Sequence, residues 1–418
     1  MRLIKPFRGL RPTPELAALV ASYPYDVLSR EEAKEIAKNN PHSFLHINKP
    51  EIDVGDNVAA FDRSVYQKGK DNLHRFINDG ILKRDCKEQF YIYKQVMGSH
   101  SQVGLVCIAS LDAYENNLIK KHEFTRPDKE NDRVNHMDML GAQVGPVFLT
   151  YKSKSNIDEL LDRGMNLTPE YDFSADDGTR HIFWVIDDQN ISEKIQSAFG
   201  DVECLYVADG HHRSAAASRV KGLYKERNPS HSGAESYNYF LAVLFPHDQM
   251  QILDYNRIIK DLNGLTEKEL ISTLEDNFEV TSATSREQAK PKKCHEFALY
   301  VNATWYKLTA GAKLINSIDK NDPVKSLDVS ILQNHILTPM LNIKDQRTDK
   351  RIDFVGGIRG LVELERRVDT GDWDAAIALY ATSIESLMAI ADANEVMPPK
   401  STWFEPKLRS GLVVHMLD

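Results

Sequence analysis

The sequence predicts a mixed α/β (α+β) protein with a partly parallel sheet. Between residues 147 and 245, short apolar runs typical of buried strands alternate with segments that have helical periodicity. The run Leu205–Ala208 is followed by Asp209-Gly210 and then by small residues that favour a tightly packed helix from Ser214 to Ser218. With 418 residues, 42% of them hydrophobic and 27% charged, the chain is long enough for two or three globular domains.

Residues 1–110 form the first predicted region, which is rich in proline loops. Ser29 with Glu32 gives a capping-box pattern for a helix over residues 29–39, and apolar spacing predicts a second helix over residues 58–81. Two β-rich runs, 90–96 and 103–109, flank Gly98 and predict a hairpin.

Residues 111–260 form the second region, which we expect to be the catalytic domain. A helix over residues 128–140 should end at Gly141. The remaining elements alternate, as an α/β unit requires. The predicted strands are 147–151, 181–186, 203–208 and 239–245, and the predicted helices are 155–161, with a capping pattern at Ser155 and Asp158, and 192–199.

Residues 261–418 form the third region. The patterns predict a helix over 267–278, a hairpin of 297–301 with 304–308, a helix over 328–337, a strand over 352–355 and a last long helix opened by a Thr382–Glu385 capping box. The chain closes with Met397-Pro-Pro-Lys-Ser-Thr-Trp-Phe-Glu-Pro-Lys407, which is typical of an ordered loop.

Composition excludes several classes of function. The net charge of −9 and the pI near 5.9 argue against general nucleic-acid binding, which needs a basic face. No apolar run reaches the roughly 18 residues of a membrane span, and the N-terminus lacks the apolar stretch of a secretory signal. Four scattered cysteines indicate reduced thiols and a cytoplasmic protein.

The turn after the 203–208 strand has the chemistry of a phosphate site. Strand, glycine turn and helix place the first helical N–H groups where they can hold an anion. His211, His212 and Arg213 add hydrogen-bond donors, and Asp209 can bind a metal ion or accept a proton. The alternative is a common turn whose histidines are solvated or cap the helix. The usual Gly-rich nucleotide motifs are absent.

A second polar cluster precedes the predicted helix over 128–140. His122-Glu123 lies among the cations Arg126, Lys129 and Arg133. Here we expect either a solvated surface helix or a carboxylate that acts as a base on a phosphorylated substrate. Two proline-containing segments, 22–27 and 40–47, either shape turns or form substrate-binding loops. The 397–407 loop either closes the structure or folds its hydroxyls and lysines onto the phosphate site.

These segments together resemble the free-serine kinases. The resemblance lies in Val207-Ala-Asp-Gly-His-His-Arg213, Pro24-Tyr-Asp26, Asn40-Pro41 with Ser43-Phe44, His122-Glu123 with Arg126, and Met397-Pro-Pro-Lys-Ser-Thr402 with Pro406-Lys407, so that it spans nearly the full chain. It implies a catalytic domain similar to the ParB and sulfiredoxin fold. It also implies phosphorylation of free L-serine to O-phosphoserine, a cysteine precursor, with pyrophosphate or ADP as the donor. The small archaeal members are much shorter than this chain.

The resemblance also implies roles for single residues. Glu123 becomes the base, and Asp209 becomes its partner or a Mg²⁺-organising group. The donor phosphates are assigned to His211, His212 and Arg213. Apart from the resemblance, the chemistry of the turn and of the cation cluster predicts phosphate contacts from Gly210, Arg126, Lys129 and Arg133 as well. The carboxylate and ammonium groups of serine need a cation and an acceptor, which either Asp26, Asn40 and Ser43 or Lys400, Ser401 and Thr402 could provide. Pyrophosphate is favoured as the donor because no adenine-binding signature is visible.

Two other functions compete with the kinase. A ParB-like regulatory module would bind a nucleotide without turnover, but the acidic composition and the lack of a helix-turn-helix pattern disfavour it. A metallohydrolase would rest on His211-His212, yet adjacent side chains seldom converge on one ion and no second ligand set has metal spacing. The oligomeric state does not follow from the sequence.

Overall fold

A computed structural model describes residues 2–319 and 321–418, and its mixture of helices and strands confirms the predicted α+β class. The chain divides into two compact units. The first contains Met1–Met250 and Pro406–Asp418, and the second contains Gln251–Glu405. These limits differ from the predicted region boundaries at residues 110 and 260. In the part of the chain that the structure describes, no helix combines the length and apolar character needed to cross a lipid bilayer.

The first unit is built on a mixed sheet with helices packed against it. Its strands are β1 (Ile4–Lys5), β2 (Leu10–Pro12), β3 (Leu82–Arg84), β4 (Phe90–Met97), β5 (His100–Ser110), β6 (Ile119–Lys120), β7 (Ala142–Gln143), β8 (Val147–Tyr151), β9 (Tyr171–Ser174), β10 (Arg180–Ile186), β11 (Leu205–Asp209), β12 (Tyr239–Pro246) and, near the C-terminus, β21 (His415–Met416). The main sheet has the order β6-β11-β8-β12-β5-β4-β10-β9, with β1 beside β5. The predicted N-terminal region therefore contributes strands to the sheet that holds the Asp209–Arg213 motif.

The helices of the first unit are α1 (Ala17–Val20), α2 (Arg30–Ala37), α3 (Leu45–Asn48), α4 (Arg63–Asn78), α5 (Leu111–Glu115), α6 (Pro127–Leu140), α7 (Ser155–Met165), α8 (Gln189–Gly200) and α9 (His211–Arg227). The capping box at Ser29 and the end of α6 at Gly141, whose φ is 63°, are confirmed. The capping pattern predicted at Ser155 is wrong, because Lys154 occupies the N-cap and no side chain caps this helix.

Two strand pairs in this sheet are parallel, as the alternation of elements predicts. β12 runs parallel to β8, and β11 runs parallel to β6 with Leu205 opposite Ile119 and Tyr206 opposite Lys120. The other neighbouring pairs in the sheet are antiparallel, including the predicted hairpin of β4 and β5. Parallel strands end at the same edge of a sheet. The residues that follow β6 and β11 consequently meet.

The strands of the second unit are β13 (Gln251–Leu253), β14 (Tyr255–Ile259), β15 (Phe278–Ala283), β16 (Glu296–Val301), β17 (Thr304–Ala310), β18 (Ile352–Gly356), β19 (Ala375–Leu379) and β20 (Trp403–Glu405). They form an antiparallel sheet in the order β15-β17-β16-β19-β14-β18 and a separate pair of β13 with β20. The helices of this unit are α10 (Glu267–Leu274), α11 (Arg286–Ala289), α12 (Ala312–Ser317), α13 (Asp328–Leu332), α14 (Gly360–Asp369) and α15 (Ile384–Asp392).

Two predictions for the second unit are wrong in detail. The helix predicted over 267–278 ends at Leu274, because Phe278 begins the edge strand β15 and is buried there. The capping box predicted at Thr382 is displaced by one residue. Ser383 is the N-cap of α15, and its hydroxyl accepts a hydrogen bond from the Ser386 N–H.

A fully buried arginine supports the second unit. Arg257 donates to the carbonyl oxygen of Tyr255, to Gln346 Oε1 at 3.1 Å and to the carbonyl oxygen of Pro399 at 3.5 Å. Burial lowers the pKa of Arg257 to about 10. This one side chain donates to all three acceptors, so that its removal takes a donor from each of them.

We expect Arg257→Met to lower the free energy of unfolding of the second unit by about 2–4 kcal/mol, since buried acceptors lose their donor. Urea unfolding followed by tryptophan fluorescence reports mainly on this unit, which contains Trp305, Trp373 and Trp403. Arg347→Met is the matched control, because the Arg347 side chain is 63% exposed and pairs only locally with Asp345. Equal stabilities of the two variants would show that Arg257 has no such supporting role.

Candidate active site

The centre of the site is the turn between β11 and α9. Gly210 has a φ of 104° and is the N-cap of α9, which begins at His211. A Cβ atom at Gly210 would lie 3.1 Å from Nε of Arg213. The prediction that the helix starts at Ser214 is therefore wrong by three residues. Because a left-handed glycine lets the helix start at once, His211, His212 and Arg213 lie in its first turn.

We expect Gly210→Ala to destabilise the protein by about 1–2 kcal/mol, because a left-handed backbone penalises any Cβ and this Cβ would crowd the Arg213 guanidinium. Gly222→Ala is the control within the same helix. Apart from its chain neighbours and the backbone of its own helix, no described atom lies within 4 Å of a Cβ at Gly222, and alanine in an exposed helix interior should stabilise by up to about 1 kcal/mol. Thermal melts of the two variants should thus shift in opposite directions, and a shift in the same direction would refute this explanation of the turn.

The parallel pairing of β6 with β11 brings His122 and Glu123 to this turn. Glu123 Oε2 lies 3.7 Å from His211 Nδ1. The backbone N–H of His122 donates to His211 Nε2 at 3.5 Å, and the two imidazole rings meet edge to face at a centroid distance of 4.4 Å. The Glu123 side chain is 43% exposed, whereas that of His211 is 4% exposed. An accessible carboxylate therefore lies against a buried imidazole.

The adjacent histidines of the motif point to different neighbours. His212 Nε2 accepts a hydrogen bond from the Arg126 N–H at 3.0 Å, while His211 faces His122 and Glu123. The two side chains point in different directions. This agrees with the expectation that adjacent side chains in a turn seldom converge on one ion. Instead, His211 joins a histidine and a glutamate that lie nearly ninety positions earlier in the chain.

Asp209 lies between two cations. Lys407 Nζ donates to Asp209 Oδ2 at 3.1 Å, and Arg213 Nη2 lies 3.7 Å from Asp209 Oδ1. Burial raises the pKa of Asp209, but the charges of Lys407 and Arg213 outweigh burial and hold the pKa well below its usual range. Asp209 is consequently ionised at neutral pH.

Arg213 is anchored from several sides. Its Nη1 donates to the carbonyl oxygen of Pro146, and its Nη2 lies 4.0 Å from Asp26 Oδ2. The side chain is 6% exposed, and its Nε is buried without a hydrogen-bond partner. A buried guanidinium with an unused N–H is a ready donor for an anionic oxygen.

Burial keeps the histidines of the site neutral. Desolvation lowers the pKa of His122 to about 4, and desolvation together with the charge of His122 lowers the pKa of His211 well below its usual value. The pKa of His212 is also lowered by burial. His122 is 2% exposed, and its Nδ1 has no hydrogen-bond partner. At neutral pH these rings are therefore available as acceptors or as metal ligands.

The other predicted phosphate ligands lie on or beside the first two turns of α6. Arg126 forms an ion pair with Asp128 at 2.9 Å and is 69% exposed. Lys129 Nζ lies 5.7 Å from the centroid of the exposed Phe61 ring. Arg133 is buried, pairs with Asp132 and stacks on Tyr25 at 3.8 Å. Their role as phosphate ligands stays a prediction.

The predicted serine-binding residues of the N-terminal loops differ in availability. The Asp26 side chain is 40% exposed beside Arg213. Asn40 Nδ2 donates to the Leu19 carbonyl oxygen at 2.7 Å, and Ser43 Oγ is buried and accepts from the Leu45 N–H. Asn40 and Ser43 therefore shape their own loop, whereas Asp26 faces the arginine of the motif.

Lys400, Ser401 and Thr402 belong to the second unit. Within it, Lys400 Nζ lies 5.5 Å from the centroid of the Tyr255 ring, and its backbone has a φ of 57°. Ser401 Oγ donates to the Pro398 carbonyl oxygen at 2.6 Å. Thr402 is half-buried beside them. Their part in serine binding stays a prediction.

Mg²⁺ is bound in kinases by one or two carboxylates together with phosphate oxygens. Asp209 is ionised and provides one such carboxylate, but Lys407 already contacts one of its oxygens. Asp209 is therefore one carboxylate ligand for Mg²⁺, and the further oxygen ligands would have to come from a bound anion or from water. Bound there, Mg²⁺ would neutralise charge on such an anion.

Sequence reasoning does not single out two side chains of the site. It offers the 397–407 loop as one that folds its lysines onto the phosphate site, and Lys407 of this loop does contact Asp209, but nothing distinguishes this lysine from the other one in the loop. His122 enters only as the neighbour of Glu123. Neither position carries a local pattern that points to Asp209 or His211. The contacts depend on the return of residues 406–418 to the first unit and on the register of β6 against β11.

Nearly all of the first 330 residues match a known protein family. Residues 4–330 fit the family described as "Protein of unknown function (DUF1015)". The chain belongs to this family. A search of curated proteins finds no match.

Several solved structures show a partial likeness to the chain. A conserved hypothetical protein from Pyrococcus furiosus is 16% identical, with 73% of this chain and 93% of that chain covered and a TM-score of 0.34. A free serine kinase in complex with AMP is also 16% identical, with 72% and 86% covered and a TM-score of 0.35. A C-terminally truncated SbnI from Staphylococcus aureus is 12% identical, with 72% and 82% covered and a TM-score of 0.37.

Proposed function

We propose that this protein is a Mg²⁺-dependent kinase that phosphorylates the hydroxyl of free L-serine, with pyrophosphate or ADP as the donor. The observation that carries the proposal is the position of Glu123, whose carboxylate lies 3.7 Å from His211 in the first turn of α9. An accessible base and a cationic helix start therefore share one corner of the first unit. The choice of serine as the acceptor and of pyrophosphate or ADP as the donor rests on the motifs that resemble the free-serine kinases.

The reaction requires a base for the acceptor hydroxyl. As serine oxygen attacks the donor phosphorus, the new P–O bond forms, the bond to the leaving phosphate breaks and the hydroxyl proton passes to Glu123. With pyrophosphate the products are O-phosphoserine and inorganic phosphate. A positioned carboxylate contributes about 10²–10⁴-fold to such a step. Glu123 suits this role because it is partly exposed at the edge of the buried histidine pair.

The charge of the donor requires compensation. Arg213 and Lys407 place two cations around Asp209, and the N-terminus of α9 adds its positive dipole. Arg213 has an unused Nε–H for a phosphate oxygen. Positioning and charge stabilisation are the main contributions of a protein to phosphoryl transfer. In this role Asp209 orients the two cations and is available to Mg²⁺.

Pyrophosphate is the favoured donor, because the motif offers contacts to phosphates and no pattern typical of an adenine pocket accompanies it. The product, O-phosphoserine, would then enter cysteine formation.

The direct test incubates the chelator-treated protein with serine, Mg²⁺ and one donor at a time: pyrophosphate, ADP or ATP. Phosphoserine measured by mass spectrometry should form fastest with pyrophosphate. If phosphoserine formed only with ADP, the assignment of the donor would change but the assignment as a serine kinase would stand. Failure with all three donors would refute the proposal.

A further inference from the structure

The structure assigns a transition-metal site, separate from the Mg²⁺ role of Asp209, to His122, Glu123 and His211. One ligand atom from each of these residues lies within 4.8 Å of those of the other two. Glu123 Oε2 and His211 Nδ1 are already 3.7 Å apart. Donor atoms around a tetrahedral Zn²⁺ lie about 3.3 Å apart, since metal–ligand distances are about 2.0–2.1 Å. The atoms therefore have to approach one another by up to about 1.5 Å, since they lie within 4.8 Å. The partly exposed Glu123 side chain can provide its share, and the two imidazole rings have to rotate for the rest.

An unpartnered buried nitrogen supports this site independently. His122 is 2% exposed, and its Nδ1 has no hydrogen-bond partner. Its other ring nitrogen is oriented by a hydrogen bond with the backbone of Val207. Histidines that bind metals commonly donate their second N–H to a backbone carbonyl in this way. A buried polar atom without a partner is costly, and a metal ion would satisfy it.

The ligand set indicates the class of ion. Two imidazoles and one carboxylate suit divalent ions of the zinc class and leave a coordination position for water or substrate. Mg²⁺ prefers oxygen ligands in octahedral geometry and is disfavoured here. Coordination through His211 Nδ1 places the ring proton on Nε2, which removes the long 3.5 Å hydrogen bond from the His122 N–H. The His122 N–H then faces a second N–H donor, so the metal–nitrogen bond has to outweigh the loss of this long contact.

Metal binding and base catalysis exclude each other at Glu123. A carboxylate oxygen bound to Zn²⁺ does not accept a proton from serine. This consequence, unlike the metal site itself, rests on the proposed function. Zn²⁺ should therefore suppress phosphoserine formation, and a chelator that binds Zn²⁺ but leaves Mg²⁺ in solution should restore it.

The test titrates the full-length, chelator-treated protein with Co²⁺ and Zn²⁺ by calorimetry and follows the visible absorption of bound Co²⁺. We expect one ion per chain and at least a tenfold weaker affinity in Glu123→Gln. In His122→Asn, binding should be lost. His46→Asn is the matched control, because His46 also faces a carboxylate, Asp53, at 2.9 Å; its affinity should equal that of the wild type.

Two results would overturn the metal site: no Co²⁺ binding by the wild type, or equal binding by the wild type and Glu123→Gln. The second comparison remains decisive if the buried His122 does not tolerate substitution. The titration requires no turnover. If the protein binds Co²⁺ in this way but makes no phosphoserine, the metal site stands and only the kinase assignment is refuted.

Discussion

Glu123→Gln is expected to lower the rate of serine phosphorylation by about 10²–10⁴-fold, because the amide has no lone pair basic enough to accept the hydroxyl proton. The fold should be unaffected, since the side chain is 43% exposed. The measurement is the initial rate of phosphoserine formation at saturating serine and pyrophosphate. The loss should appear in kcat, while KM changes little, because the proton moves only during the chemical step.

Glu115→Gln provides the control for this substitution. The Glu115 side chain is 42% exposed, lies in the same unit and pairs with Lys221. We expect it to keep the wild-type rate within a factor of two, since the buried Lys221 retains its second ion pair, with Asp112. A near-normal rate for Glu123→Gln, or an equal loss in both variants, would remove Glu123 from the role of base.

Arg213→Lys is the second substitution with a large expected effect. Lysine keeps the positive charge but loses the planar fork that contacts Pro146 and approaches both Asp26 and Asp209. We expect kcat/KM for pyrophosphate to fall by about 10²–10³-fold, somewhat less than the loss of a catalytic arginine in other phosphoryl-transfer enzymes. Rates measured over a range of pyrophosphate concentrations test this.

Arg219→Lys is the matched control on the same helix. Arg219 pairs with Glu130 at 2.9 Å and is 46% exposed, so its replacement should leave kcat/KM within a factor of two. If Arg213→Lys retained full activity, donor binding would not depend on a fixed guanidinium at the start of α9. The phosphate site would then have to lie elsewhere.

Local patterns predicted much of the fold. The capping box at Ser29, the stop of α6 at Gly141 and the hairpin of β4 with β5 each depend on a few neighbouring residues, and each is confirmed. The errors lie at element boundaries that tertiary contacts, and not neighbouring residues, determine. Gly210 starts α9 at the first histidine, and the pairing of β15 with β17 recruits Phe278 into a strand.

The distant residues of the site were harder to predict than those of the Asp209–Arg213 motif. Asp209, His211 and Arg213 stand together in the sequence, and their chemistry follows from residue type. Lys407 reaches Asp209 from 198 positions away, and His122 meets His211 across 89 positions. Such contacts depend on strand register and on the path of the C-terminal segment. A single sequence contains no local signal for either.

The most direct measurement follows the hydroxyl oxygen of serine. The wild-type protein is incubated with serine labelled with ¹⁸O in its hydroxyl, Mg²⁺ and unlabelled pyrophosphate, and the products are analysed by mass spectrometry. We expect phosphoserine that retains the label in its ester oxygen, with unlabelled inorganic phosphate as the second product. Release of inorganic phosphate without labelled phosphoserine, or no reaction with any donor, would contradict transfer to serine at this corner of the protein.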